Sequence, residues 1–387
     1  MNKIEKLIKD SLHSSVYYEE PSEELKKNVF FALDKGANRQ RNHNFKYKVA
    51  AAAAAIVIFI TSVNVSPAFA DQLSKIPLAS ELVKLLRFDK GLQQLVEKDK
   101  GIFEAVKNSY IKNSNITVKD KGIGFTLENI ITDSKRMLIT YSVKYDETIN
   151  KKVDSLWFNN LLVTGDGKKL FEIKDGMPAD NGLDGQFIAR NIVGPGELDK
   201  AGVPVSSDIK DNKEKLFGWI EIMKQEDKIS FPERIKFEIN GFKDSFLENP
   251  KVYPGNWNLA FDIAEEYRNV QPIILKQQNF NISAGKHNID FSFENGKVYP
   301  TVTTITLKVL DFKNSPQRLS LNMHLEDENG NIYNKIEDEY VTNLGITQPE
   351  FASSYFTNPK QLYLVIESIV DPATRTVQEV NHRMRIY

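Results

Sequence analysis

The chain has 387 residues, with 51 Lys+Arg against 52 Asp+Glu, 41% hydrophobic residues and no Cys. That balance excludes wholesale disorder, a uniformly basic nucleic-acid coat and an acidic tail protein, and at roughly 150 residues per domain it suggests two to three domains. The missing Cys excludes disulfide scaffolds, Cys-type zinc sites, iron–sulfur clusters and thiol nucleophiles.

Residues 1–48 hold ten Lys/Arg and seven Asp/Glu. Ile4, Leu7, Ile8 and Leu12 fall at helical spacing and form one apolar stripe. The stretch from Ser14 to Glu20 breaks the pattern. Pro21-Ser22-Glu23-Glu24 then reads as a helix start, with a Ser cap and acids in the first turn. Leu25, Val29, Ala32 and Leu33 form a second stripe, which Gly36 ends. Helices this short bury little surface alone. The stripes are therefore expected to dock on a cytosolic partner, helix in groove, through Leu7, Ile8, Leu12, Leu25, Val29 and Leu33. A small helical hairpin, or helices lying on the inner leaflet, is the alternative. Glu23 and Glu24 weigh against anionic lipid.

Val49–Val65 reads VAAAAAAIVIFITSVNV, with no polar residue from Val49 to Ile60. As a helix it spans roughly 26 Å, and roughly 33 Å if it continues to Ala70, against a hydrocarbon core of about 30 Å. A transmembrane helix is expected over 49–70. Lys35, Arg39, Arg41, Lys46 and Lys48 precede it with no acid after Asp34, whereas Asp71 and Glu81 interleave with Lys75 and Lys84 beyond it. The positive-inside rule places the N-terminus in the cytoplasm and the C-terminus outside. Ala68-Phe69-Ala70 before Asp71 is also an A-x-A cleavage pattern. The long N-terminal segment favours a retained single-pass anchor, and cleavage after Ala70 is the alternative.

A helical membrane-proximal segment is expected over 71–112. Leu78, Leu82, Leu85 and Leu86 form one stripe. Leu92, Leu95, Val96, Phe103, Val106, Tyr110 and Ile111 suggest a second, less regular one, with Gly101 as its interruption. From Ile116 the period becomes two. Met137 to Tyr145, Ile235 to Ile239, Trp257 to Ile263, Ile305 to Val309, Leu319 to Leu325 and Leu362 to Ile366 alternate. Asp166-Gly167, Asp184-Gly185, Asn240-Gly241, Asn295-Gly296 and Asn329-Gly330 are expected turns. The exterior is thus expected to be mainly β, two Ig-like β-sandwiches over 113–267 and 268–387 with a break near Glu265 to Pro272. Gly176 to Asp211, rich in Gly, Asp and Pro, reads as a long loop.

The exterior has 41 Lys/Arg and 45 Asp/Glu, which implies no polyanion or nucleic-acid partner. His13, His43, His287, His324 and His382 do not cluster, and none begins an H-E-x-x-H motif. His324 sits on the polar side of its alternation and reads as a surface residue. No G-x-S-x-G elbow and no P-loop exists. Asp327-Glu328-Asn329-Gly330-Asn331 has its Gly too early for a calcium loop and reads as a hairpin turn. Trp257 reads as core. No catalytic residue, metal ligand or cofactor site is assigned.

Thr61-Ser-Val-Asn-Val-Ser-Pro-Ala-Phe-Ala70, Leu85-Leu-Arg-Phe-Asp-Lys-Gly-Leu92, Pro21-Ser22-Glu23-Glu24-Leu25 and Gly255-Asn-Trp-Asn-Leu-Ala-Phe-Asp262 together resemble a known group. It is the single-pass membrane anti-sigma factors of Gram-positive bacteria, which carry an exported domain of unknown function. The resemblance covers most of residues 1–265 and runs more loosely to the end. It implies that the cytoplasmic helices hold an extracytoplasmic-function sigma factor away from RNA polymerase. It also implies that an outside event releases the sigma factor through membrane or signal proteases. The chain lacks the His/Cys zinc motif of many anti-sigma proteins, so any sigma contact is zinc-free. The rival reading is a secreted or surface binding protein, cut after Ala70, with no regulatory partner.

Overall fold

The computed structural model describes residues 89–146, 156–181, 186–193, 215–225, 229–244, 250–284, 287–310, 319–336, 341, 345–371 and 376–387. The expected cytoplasmic helices, the transmembrane helix and the stripe through Leu78 and Leu86 lie outside them. Among the described residues no helix is long and apolar enough to cross a membrane.

Two helices open the described chain, α1 at Lys90–Lys98 and α2 at Lys100–Lys107. The expected interruption at Gly101 falls instead on Asp99. Its extended backbone (φ −127°, ψ 101°) ends α1, and its side chain caps α2. Gly101 lies within the first turn of α2.

The first β-region begins with β1 (Lys112–Asp120), β2 (Ile123–Thr132), β3 (Arg136–Tyr145), β4 (Trp157–Phe158), β5 (Leu161–Gly165) and β6 (Lys168–Lys174). It continues with β7 (Met177–Asn181), β8 (Phe187–Val193), β9 (Lys215–Lys224), β10 (Arg234–Ile239), β11 (Phe242–Lys243), β12 (Val252–Tyr253) and β13 (Trp257–Asp262). All pairings are antiparallel, in sheets of order β1-β2-β3-β9-β8, β13-β10-β5-β6-β7 and β12-β11-β4. The expected loop from Gly176 to Asp211 therefore contains strands β7 and β8. Their Pro178, Asn181 and Asn191 hid a β pattern that edge positions tolerate.

The short α3 (Glu265–Arg268) leads into the second β-region. Its strands are β14 (Ile273–Ile274), β15 (Gln278–Ala284), β16 (His287–Val298), β17 (Thr303–Val309) and β18 (Ser320–Asp327), then β19 (Ile332–Asn334), β20 (Ile346–Thr347), β21 (Glu350–Phe351), β22 (Leu362–Asp371) and β23 (Thr376–Arg385). One sheet runs β14-β16-β17-β20, with β15 on β16 and β21 on β17, and the other runs β19-β18-β22-β23.

Two large apolar cores result from this arrangement. One gathers buried residues from Ile123 to Ile263 and includes Phe125, Tyr141, Phe237 and Trp257. The other gathers Leu275 to Ile386 and includes Phe291, Phe293, Tyr333 and Phe351. Trp257 is fully buried, and its Nε1 donates to the Ile123 carbonyl at 2.8 Å, which satisfies the indole's one polar group. Even so, Asp89–Glu328 and Ile332–Tyr387 form one compact unit.

Asp166-Gly167 makes the expected hairpin, between β5 and β6, with φ of 48° and 79° as a type I′ turn needs. Asn329-Gly330 falls between the paired β18 and β19, as a hairpin turn does. Asn295-Gly296 does not turn. It lies inside β16 at a register shift, a bulge that lets the strand run on. Asn240-Gly241 carries the chain from β10 to β11 in another sheet, with no hairpin there. His324 is buried, correcting the surface reading. A register shift between Asn322 and Met323 breaks the alternation on which that reading rested. Its Nδ1 lies 3.4 Å from Glu367, and burial holds its pKa below the usual value.

Candidate functional site: a buried charge cluster where helices and both β-regions meet

In β3, Met137, Ile139, Tyr141 and Val143 point into the first core, whereas Arg136, Leu138, Thr140 and Ser142 share the opposite face. The register sets Arg136 opposite Met223, Leu138 opposite Glu221 and Thr140 opposite Trp219. In β2 a register shift between Leu127 and Asn129 keeps Ile130 in the core and brings Asn129 opposite Thr140. This second face is buried too: α1 lies against β3 and β9, and Asp99, the cap of α2, reaches Arg136. Polar residues stranded there must find partners.

Two aspartates supply them in the same manner. Asp89 Oδ1 caps α1, accepting from Leu92 N at 2.9 Å, while Oδ2 accepts from Asn129 Nδ2 at 2.7 Å and from the Thr140 hydroxyl. Asp99 Oδ1 caps α2, accepting from Gly101 N at 2.9 Å and Ile102 N at 3.3 Å. Its Oδ2 accepts from Arg136 Nη1 at 2.7 Å. In each, one carboxylate oxygen holds a helix end and the other pins that helix to the sheet.

Arg136 is 3% exposed and spends its fork on three elements. Nε donates to Glu221 on β9 at 2.6 Å. Nη1 donates to Asp99 and to the Thr301 carbonyl, the latter at 3.1 Å, just before β17. Asp133, in the β2–β3 turn, clasps the same threonine. Its Oδ1 accepts from Lys135 N and Arg136 N at 2.7 and 2.9 Å, and its Oδ2 from Thr301 N and Oγ1, both at 2.7 Å. Arg190 pairs with Glu350 across the same junction.

Further contacts surround the cluster. Ser134 Oγ donates to Val270 O at 2.7 Å. Tyr110 packs on Tyr267 and Phe356 with ring centroids 5.1 and 5.3 Å apart. Met223 joins Tyr299 and Val302 in a small apolar cluster. A Cβ at Gly101 would lie 2.3 Å from Ser353 N, so only glycine permits this approach of α2 to the second β-region.

Burial governs the electrostatics. It pushes the Asp89 carboxyl up to about 6 against three hydrogen bonds that favour its anion. Burial pushes Asp133 up against its donors, and Glu350 up against Arg190 and Arg136. For Arg136, burial disfavours the charge, but Glu221 and Asp99 outweigh it and the pKa is raised. Removing one member of such a network leaves an uncompensated buried charge, a cost of about 3–5 kcal/mol.

Among the described residues no group of three or more His, Asp or Glu could hold a metal ion. The cluster is a joint, holding three parts of the chain through buried hydrogen bonds and ion pairs. The partner-facing candidates Leu7, Ile8, Leu12, Leu25, Val29 and Leu33, and the cleavage candidates Ala68, Ala70 and Asp71, lie outside the described residues. Sequence reasoning missed Asp89, Asp99, Asp133, Arg136 and Glu221. The available signal was a repeated tetrapeptide, Asp89-Lys-Gly-Leu92 and Asp99-Lys-Gly-Ile102, each an acceptor side chain before a helical stripe.

A comparison with curated proteins found no match. Among solved structures, the crystal structure of the conserved domain protein from Bacillus anthracis is similar, at 13% identity over 72% of this chain and 89% of that one, with a TM-score of 0.40. Residues 40–145, from the basic flank to the last residue of β3, match the model of a domain of unknown function, DUF4179.

Proposed function

We propose that the protein is a single-pass membrane anti-sigma factor with no catalytic role. Residues 1–48 hold an extracytoplasmic-function sigma factor in the cytoplasm, 49–70 span the membrane, and two exported Ig-like β-sandwiches sense or gate its release. The observation that carries the reading is the order of parts in the sequence: two amphipathic stripes, a basic flank, an apolar segment and a long mainly β body. The aspartates that cap α1 and α2 fit it, because they fasten to the sheet the first described helices that follow the apolar segment in the sequence. Release through cleavage of the exterior and then of the span is part of the same proposal.

The test is purification of the intact chain from native membranes in mild detergent, with mass spectrometry of what accompanies it and N-terminal sequencing of the chain itself. A sigma factor in stoichiometric amount, with an N-terminus upstream of Val49, supports the reading. A uniform N-terminus at Asp71 and no sigma factor overturns it in favour of an exported binding protein, the reading that Ala68-Phe69-Ala70 favours.

A further inference from the structure

We infer that Arg136 is a coupling node: through it, docking of α1–α2 and docking of the second β-region onto the first stand or fall together. This coupling holds whether or not the chain binds a sigma factor. One guanidinium bonds the α2 cap (Asp99), the sheet (Glu221) and the second β-region (the Thr301 carbonyl). The backbone N–H of Arg136 itself donates to Asp133, whose other oxygen takes both donors of Thr301. Thr301 is thus held from both sides by one turn of the first β-region. It and Asp133 are fully buried, so water cannot replace a lost partner without the junction opening. If the second β-region lifts, Arg136 loses its Thr301 acceptor. It then sits in a cavity open to solvent, where its ion pairs with Asp99 and Glu221 weaken by screening. If α2 lifts, Arg136 faces Glu221 alone and its fork is free to turn from Thr301. Coupling of this kind is reciprocal: a perturbation on either flank must be felt on the other.

The device gives the exterior a defined response. Any event that separates the two β-regions loosens α1–α2, and any pull on α1–α2 loosens the junction. Such communication needs no movement within either apolar core.

The test is hydrogen exchange read by mass spectrometry on the intact chain in detergent micelles. Arg136→Lys keeps the charge but replaces a planar fork with one ammonium that cannot serve Glu221, Asp99 and Thr301 at once. Exchange is expected to rise at least tenfold in both 90–107 and 299–303, with 234–239, 257–262 and 320–327 unchanged. A rise confined to one of the two segments, or no rise, overturns the node. Asp99→Asn is the second variant, used if Arg136→Lys loosens the whole chain. It keeps the cap acceptor and alters only the oxygen facing Arg136. Faster exchange at 299–303, where Asp99 makes no hydrogen bond, supports the coupling, and unchanged exchange there beside faster exchange in 100–107 refutes it.

Discussion

Replacing Asp89 by Asn should make the chain more stable at neutral pH and change it little in acid. The side chain is 3% exposed, and burial raises its pKa from 3.8 to about 6. The folded state therefore holds this proton more tightly than the unfolded chain does. The resulting stability is fully present below about pH 4 and is lost as the pH rises from there through about 6. A shift of about two units at 1.36 kcal/mol each makes the loss about 3 kcal/mol. The substituted amide keeps an oxygen for the Leu92 N–H and carries no charge to bury. Its NH2 would face the Thr140 hydroxyl, which must turn to accept from it, and Asn129, whose Oδ1 is buried without a partner and becomes the acceptor once that amide turns over. Urea unfolding of the purified chain at pH 4 and pH 7.5, followed by fluorescence of Trp157, Trp219 and Trp257, measures the difference. Asp89→Asn is expected to match the wild type at pH 4 and to exceed it by about 2 kcal/mol at pH 7.5, water entry taking up part of the full figure. Taking the difference between the two proteins removes every other titrating group. A difference independent of pH would show that the anion is at ease in its site, and the burial argument would fail.

Other substitutions test the packing. Trp257→Ala should destabilise the first β-region by about 3–5 kcal/mol, seen as a lower urea midpoint, because it empties a fully buried site and strands the Ile123 carbonyl. An effect below about 1 kcal/mol would mean the core collapses around the loss. Gly101→Ala should cost about 1–3 kcal/mol, because its Cβ would press on the Ser353 backbone. The matching signature is faster hydrogen exchange in 100–107 and 353–357, and a neutral result would contradict the close approach. Arg234→Ala, at an exposed pair with Asp262, should leave the midpoint unchanged within about 0.5 kcal/mol.

How far the sequence is legible depends on which face of a strand is exposed. β10 and β13 alternate visibly, because one face meets the core and the other meets water. β2 is buried at nine of its ten positions, so its burial does not follow the alternation of Ile123, Phe125 and Leu127, and Asn129 on its second face is held by Asp89 at the start of α1. Pairing across that face, and with it the charge cluster, depends on contacts between residues as far apart as Asp133 and Thr301, which no local pattern records. The tetrapeptide Asp-Lys-Gly-Ile/Leu makes the same point. It starts α1 at Asp89 and α2 at Asp99, yet at Asp120 it forms the hairpin between β1 and β2, with Lys121 and Gly122 at φ of 45° and 80°. The spacing of the downstream apolar residues decides the outcome. Leu92, Leu95 and Val96 repeat at helical spacing, whereas Ile123, Phe125 and Leu127 alternate. The Asn295-Gly296 turn failed for a similar reason: the apolar partners of β16 continue on both sides of it, and the strand absorbs the extra residue as a bulge.

The central proposal, that the N-terminal segment binds a sigma factor through its apolar stripes, is tested most directly by using residues 1–47 as bait in native lysate. The wild-type bait is compared with one carrying Leu25→Asp and Val29→Asp. Mass spectrometry should find an extracytoplasmic-function sigma factor on the wild-type bait and at least tenfold less on the double variant. A folded, soluble bait that recovers no sigma factor, or recovers equal amounts with and without the substitutions, would contradict it.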